Sequence, residues 1–198
     1  MRFVTLTTAV ALALTAAACN RNDAGNSIST DANLAEDATV NDVLGANLAA
    51  NEAAALPADA TGFANAVAAS DMFEIESAKV AADKGGSAEV KAFAKQLRTD
   101  HEKSSADLKA AAAKATPPVT VTPALDAEKQ GMLDQLKAAN GADFDRVFID
   151  QQTNVHQKAL AMLQDYVGKG GSQPLKDFAS KAATVIQAHL DQVNRIRK

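Results

Sequence analysis

The chain has 198 residues, and its 24 acidic side chains outnumber its 20 Lys and Arg side chains, which gives a formal net charge of -4. Proteins that bind nucleic acid neutralise phosphates with clustered Lys and Arg. No such cluster occurs here, so we expect no nucleic-acid partner. The composition is rich in Ala and contains no Trp and one Cys, which favours helices packed closely through small side chains.

The first 18 residues carry one positive charge followed by a short apolar run. This segment is too short and too lightly flanked for a membrane-spanning helix, and it is typical of a secretory signal peptide. The run ends in Ala16-Ala17-Ala18-Cys19. This sequence resembles the cleavage site of bacterial lipoproteins, although Ala16 stands where Leu is usual. Cys19 is the only cysteine, so it has no disulfide partner within the chain.

We therefore predict that Cys19 is lipidated and that the protein is exported and anchored to a membrane in the periplasm. The residue after the cysteine is Asn20 rather than Asp, which resembles lipoproteins sent to the outer membrane of Gram-negative bacteria. The alternative is ordinary signal-peptide cleavage, which leaves Cys19 unmodified. Residues 19–58 contain few large apolar side chains and many Asn, Asp, Ala and Ser residues, a composition that predicts a flexible tether.

Residues 59–198 are predicted to form one domain of four long helices. Helical periodicity and terminating Gly or Pro residues predict helices over about 61–84, 88–115 and 143–167, and a last helix from its cap Ser172 to about Arg195. Ser87 is the expected cap of the second helix. The connection between the second and third helices is much longer than the other two, and we expect a short helix within it over about 124–139, capped by Thr122.

Four amphipathic helices of this length predict an all-α four-helix bundle. One long crossover that contains the short extra helix would give the ferritin-like topology. The alternative is an up-down bundle with the short helix packed on it as a fifth element.

All three histidines of the chain fall on inward faces of the predicted helices: His101 on the second, His156 on the third and His189 on the fourth. The first helix places Glu74 in the middle of its apolar face. Counted from the hairpins, the four side chains lie within a turn or two of the same level. A single inward His is more often a hydrogen-bonded core residue than a ligand, whereas an inward carboxylate is nearly always partnered.

Two interpretations of this set remain open. One carboxylate and three imidazoles suit zinc, copper, iron or manganese, so Glu74, His101, His156 and His189 are the predicted ligands of a single transition-metal ion. In the other interpretation, Glu74 accepts hydrogen bonds from the histidines, and this network fixes the helix register without a metal.

The stretches 63–85, 90–101 and 144–156 and the terminal Ala188-His189-Leu190 resemble the domain of unknown function 4142 family. The resemblance implies a ferritin-like fold and an exported bacterial protein, often a lipoprotein, and it implies no activity. Ferritin-like proteins bind two metals through Glu and Glu-x-x-His pairs. Here Arg98, Thr153 and Ile186 stand three residues before the histidines, so we expect no di-iron centre and at most one metal ion.

The sequence assigns no enzymatic activity. Its glycine pairs end helices and form no phosphate loop, and serines near histidines do not make a triad without an orienting acid and an oxyanion hole. The leading hypothesis is an envelope lipoprotein with a non-enzymatic structural, stress-related or binding role. The alternative is a mononuclear metal-binding protein that uses the inward Glu and His side chains. Protein partners are not identified by the sequence.

Overall fold

The computed structural model describes residues 56–198; the predicted signal peptide, Cys19 and the tether as far as residue 55 lie outside the described residues. The described part is all-helical and without strands, which confirms the predicted fold class. Its helices are α1 (Ala60–Lys84), α2 (Ala88–Ala113), α3 (Ala127–Ala138), α4 (Gly141–Lys169) and α5 (Gln173–Ile196). Within these residues, no helix is both long and apolar enough to cross a membrane.

Short polar side chains determine where α2 and α3 begin. Ser87 precedes α2 as predicted, and its Oγ accepts a hydrogen bond of 3.2 Å from the backbone N–H of Val90. The cap predicted for the short helix is wrong. Asp126, not Thr122, precedes α3, and its Oδ1 accepts from the backbone N–H of Lys129 at 2.8 Å. A carboxylate satisfies the free N–H groups and also complements the positive end of the helix dipole, so it is the better cap.

The helices form two antiparallel hairpins, α1 with α2 and α4 with α5, packed so that α1 contacts α4 and α2 contacts α5. Helix α1 runs antiparallel to α4. Phe63 at the start of α1 stacks on Tyr166 near the end of α4, with ring centroids 3.7 Å apart. At the opposite end, the backbone N–H of Gly86 donates to Asp145, near the start of α4, at 2.8 Å. Helix α2 therefore ends at one end of the bundle and α4 begins at the other.

The connection from α2 to α4 spans this distance as a single long crossover. Val119 and Val121 pack against the apolar cluster at the Phe63 end of the bundle. Leu133 of α3 packs midway along the bundle, and Leu136 belongs to the cluster at the far end. The ferritin-like topology with a short helix in the crossover is thus confirmed, and the up-down alternative is wrong.

Apolar clusters fill both ends of the bundle, and a polar layer lies between them. Each long helix contributes to this layer, whose members are at most 3 % exposed: Asp71, Glu74, Ser77, His101, Gln152, His156 and His189. Buried polar groups are unfavourable unless they are hydrogen-bonded, and buried charges are unfavourable unless they are paired or bind a metal. The polar layer is therefore the candidate functional site.

Packing of the crossover helix into the core is testable with two leucines of different burial. Leu136 is 0 % exposed, whereas Leu56 is 43 % exposed. Leu136→Ala should lower the free energy of unfolding by about 2–5 kcal/mol, because it leaves a cavity between α3 and the bundle. Leu56→Ala should change it by about 0.5 kcal/mol or less. Urea unfolding followed by circular dichroism measures both, and equal effects would contradict this packing.

Candidate metal centre

The three histidines meet in the polar layer at mid-bundle. His101 comes from α2, His156 from α4 and His189 from α5, and each is at most 3 % exposed. One ring nitrogen from each histidine lies within 4.8 Å of those of the other two. The ring centroids are 5.2–5.7 Å apart. The structure thus brings together three of the four side chains that the sequence singled out as candidate ligands.

An oxygen acceptor holds one nitrogen of each imidazole, which we call the outer nitrogen. Two of the acceptors are carboxylates and the third is a backbone carbonyl. The pairs are His101 Nδ1 with Asp71 Oδ1 at 2.8 Å, His189 Nε2 with Asp100 Oδ2 at 2.8 Å, and His156 Nδ1 with the carbonyl oxygen of Gln152 at 2.9 Å. Because carboxylate and carbonyl oxygens only accept, each outer nitrogen donates and carries the ring hydrogen.

The remaining, inner nitrogens belong to three rings whose centroids lie 5.2–5.7 Å apart. Nε2 of His156 lies 3.2 Å from Nδ1 of His189. Nε2 of His101 is buried and has no hydrogen-bond partner among residues 56–198. In neutral rings whose outer nitrogens hold the hydrogens, all three inner nitrogens present lone pairs, and none can donate to another. The arrangement therefore calls for a cation among them, either a proton or a metal ion.

The surroundings keep two of the three rings neutral. Burial lowers the pKa of His156 well below its ordinary value, and the positive charges of His101 and His189 lower it further. Burial also lowers the pKa of His189, against the hydrogen bond to Asp100, which raises it. For His101 burial again acts downward, but the hydrogen bond to Asp71 and the nearby acidic charges outweigh it and raise the pKa. Neutral imidazole is the form that binds metals.

Glu74 lies beside the cluster, on the outer side of His156. Its side chain is 1 % exposed, and its Oε1 is 3.6 Å from Nδ1 of His156. Neither carboxylate oxygen makes a hydrogen bond of normal geometry in the described part of the chain, although the side-chain amide of Gln152 is close enough to lower the pKa. Burial raises the pKa of Glu74 to about 7, although the charge of His101 acts in the opposite direction. The set of converging donor atoms in the described residues consists of the three histidines, so a role for Glu74 as a ligand stays a prediction.

Asp71 and Asp100, which accept hydrogen bonds from two of the rings, were not among the side chains predicted from the sequence. Asp71 is 3 % exposed, and besides His101 it accepts a hydrogen bond of 3.2 Å from Oγ of Ser105. The sequence spacing could have indicated that Asp71 faces the site, because Asp71 lies three residues before Glu74 and therefore on the same side of α1. Asp100 directly precedes His101 in sequence and reaches across to α5, which helix phase alone did not indicate.

The fold and the site define an all-α, ferritin-like bundle with a buried histidine cluster at its centre. The chain belongs to the family described as Domain of unknown function (DUF4142), whose profile matches residues 45–196. No curated protein matches the chain.

Solved structures of CopM are similar to this bundle. The Cu(I)-bound form is 23 % identical with a TM-score of 0.56, and the match covers 68 % of this chain and 92 % of CopM. The Cu(II)-bound form is 21 % identical with a TM-score of 0.59, over 69 % of this chain and 94 % of CopM. The apo form gives 21 % identity, a TM-score of 0.57 and the same coverage. At these identities the likeness shows a shared fold.

Glu74 should make the stability of the metal-free protein depend on pH. Its pKa rises from 4.5 to about 7 on folding, so between these values the folded state binds the proton more tightly than the unfolded chain. The resulting stabilisation is fully present below the lower value and is lost as the pH rises through about 7. Glu74→Gln lacks this contribution. As the pH increases across this window, the free energy of unfolding of wild type should therefore decrease relative to that of Glu74→Gln.

Urea unfolding of chelator-treated protein at several pH values measures this difference. Glu76→Gln is the control, because Glu76 is on the same helix with a side chain 46 % exposed and pairs only with Lys79 at the surface. It should give a pH profile parallel to that of wild type. A parallel profile for Glu74→Gln as well would contradict the burial argument.

Proposed function

We propose that the protein binds one transition-metal ion at His101, His156 and His189. The observation that carries this proposal is the hydrogen bonding of the rings. An oxygen accepts each outer N–H, the inner nitrogens of His156 and His189 lie 3.2 Å apart, and the inner nitrogen of His101 has no hydrogen-bond partner in the described residues. Histidines that ligate metals almost always donate their other ring N–H to a carboxylate, a backbone carbonyl or water.

The distances support a single ion after a small adjustment. Metal–nitrogen bonds of about 2.0–2.1 Å in tetrahedral geometry set two ligating nitrogens about 3.3 Å apart. The inner nitrogens of His156 and His189 are already 3.2 Å apart. One ring nitrogen from each of the three histidines lies within 4.8 Å of the other two, and rotation about side-chain bonds can bring the third nitrogen to the same ion.

Copper is the metal to test first. Imidazole ligands suit copper, zinc, nickel and iron, and among the divalent ions of the first row Cu²⁺ generally binds most tightly. CopM, which shares the fold, has been solved in Cu(I)-bound, Cu(II)-bound and silver-bound forms. The Glu-x-x-His pairs of di-iron proteins do not occur in this sequence, which supports a mononuclear site.

A metal-free polar network accounts for the same side chains less well. It needs a proton between His156 and His189, yet burial lowers the pKa of both rings. It also leaves Nε2 of His101 buried without a partner. Such an atom costs about 1–3 kcal/mol. A bound cation would satisfy the inner nitrogens and lower the electrostatic cost of the acidic neighbours.

Metal content is the direct test. Protein purified without a histidine tag and loaded with Cu(II) should retain one ion per chain by elemental analysis, and it should unfold at a higher temperature than the chelator-treated protein. The His101→Ala/His156→Ala double variant should lose the ion, because it keeps one imidazole of the three.

Graded variants distinguish the site from adventitious surface binding. Asp71→Asn keeps an acceptor for His101 but removes the charge, so it should weaken binding about 10–100-fold. Asp107→Asn changes an exposed acid of α2 that pairs with Lys103, and it should leave the affinity unchanged. Two findings together would favour the polar network: wild-type protein that retains no metal, and a lower stability of the protein after either histidine is replaced.

We further propose that the bundle is a non-enzymatic binding protein of the bacterial envelope. The support is the pattern of the first 20 residues: a short apolar run, small residues, Cys19 as the only cysteine and Asn20 after it. A lipid on Cys19, a tether and a folded domain would hold the metal site away from the surface of the outer membrane.

The anchor is testable separately from the metal. Cys19→Ser should move the protein from the membrane fraction to the soluble periplasmic fraction, because the cysteine thiol is the site of lipidation. Fractionation followed by immunoblotting measures the distribution, and mass spectrometry of the mature N-terminus identifies the lipid. Continued membrane association of the serine variant would show that lipidation is not the anchor.

A further inference from the structure

A groove between α2 and α5 reaches the histidine cluster. Its cavity volume is about 600 Å³. His101 and His189 line its mid-bundle end, and from there it follows the two helices toward the end of the bundle at which α5 begins. Much of its wall on α5 is apolar: Phe178, Ala182, Val185 and Ile186.

The groove approaches the cluster from the side opposite Glu74. Within the described residues, neither Glu74 nor His156 lines it. Asp100 does line it, and the side chain of Asp100 is 24 % exposed while its Oδ2 lies 2.8 Å from Nε2 of His189. One carboxylate thus contacts both the groove and a ring of the cluster.

Given the proposed metal site, we propose that this groove is the route by which the metal ion reaches and leaves the histidines, with Asp100 as the carboxylate at its inner end that passes the ion to the rings. Three rings that are at most 3 % exposed cannot capture an ion directly from solvent. A hydrated divalent ion is received well by a carboxylate oxygen, and an imidazole site then takes it over. A buried metal site needs such an access path.

Val185 offers a way to narrow the groove without disturbing the cluster. It lies one helical turn before His189, lines the groove and is 42 % exposed, so Val185→Trp adds bulk without displacing core atoms. Ala188→Trp is the matched control, since Ala188 is exposed on the same helix and does not line the groove. Circular dichroism should show the same helix content in both variants.

Stopped-flow measurement of Cu(II) uptake, and of Cu(II) release to excess EDTA, tests the route. A barrier along the path changes both rates by the same factor and leaves the equilibrium affinity unchanged. We expect Val185→Trp to slow both rates about tenfold, which corresponds to a barrier higher by about 1.4 kcal/mol. Ala188→Trp should match wild type.

The outcomes separate the route from the site itself. Normal binding with unchanged rates in Val185→Trp would overturn the route and leave the metal site intact. Slower uptake without slower release in Val185→Trp would mean that the substitution changed the affinity for Cu(II), which also overturns the route. A wild-type protein that binds no copper, zinc or nickel overturns both proposals.

A reagent that attacks imidazoles tests the same path in metal-free protein. At a pH high enough to deprotonate His101, whose pKa is raised, diethyl pyrocarbonate can modify its Nε2, which lacks a hydrogen-bond partner in the described structure. Modification of His101, located by peptide mass spectrometry, should be slower in Val185→Trp than in wild type and unchanged in Ala188→Trp. Equal modification rates in all three proteins would count against the groove as the path.

Discussion

The hydrogen bonds to the outer nitrogens of the three histidines are the constraint on which the centre of this bundle depends. Each bond fixes a ring orientation, and in a neutral ring it also fixes the tautomer, which leaves the inner nitrogen without a hydrogen. The inner nitrogens of His156 and His189 lie 3.2 Å apart, and their lone pairs repel each other unless a cation lies between them. The three acceptors belong to three different helices, so the preference for a cation depends on the assembled fold and is absent from any single helix.

Topology also decides which side of the bundle gives access to this centre. The crossover helix α3 packs mainly against α1 and α4, and it covers the polar layer on that side with apolar side chains such as Leu133. The α2–α5 pair lies on the opposite side, where the groove reaches His101 and His189. A long crossover is therefore more than a connection, since it closes one face of the bundle and leaves the other open.

Helix periodicity was enough to predict the long helices, the crossover and the inward direction of Glu74 and the histidines, because those features follow from a 3.6-residue repeat and from loop length. Contacts between helices were not predictable in this way. Asp100 lies at the edge of its helix face and reaches His189 from a helix that is distant in sequence. The cap of α3 was misplaced because both Thr122 and Asp126 are acceptable caps, and the choice depends on where the crossover meets α1 and α4.

Charge balance in the polar layer indicates how the candidate ligands divide their roles. The carboxylates of Asp71 and Asp100 accept N–H groups of two rings, so three neutral histidines would leave these two negative charges near one another. One divalent cation would balance both charges without a contribution from Glu74, whose pKa burial raises to about 7 in the metal-free protein. If Glu74 instead became a ligand, its lost proton would leave an excess negative charge in a buried layer, which is unfavourable. In the proposed site, the balance therefore favours a divalent ion held by the three imidazoles, with Glu74 beside it rather than bound to it.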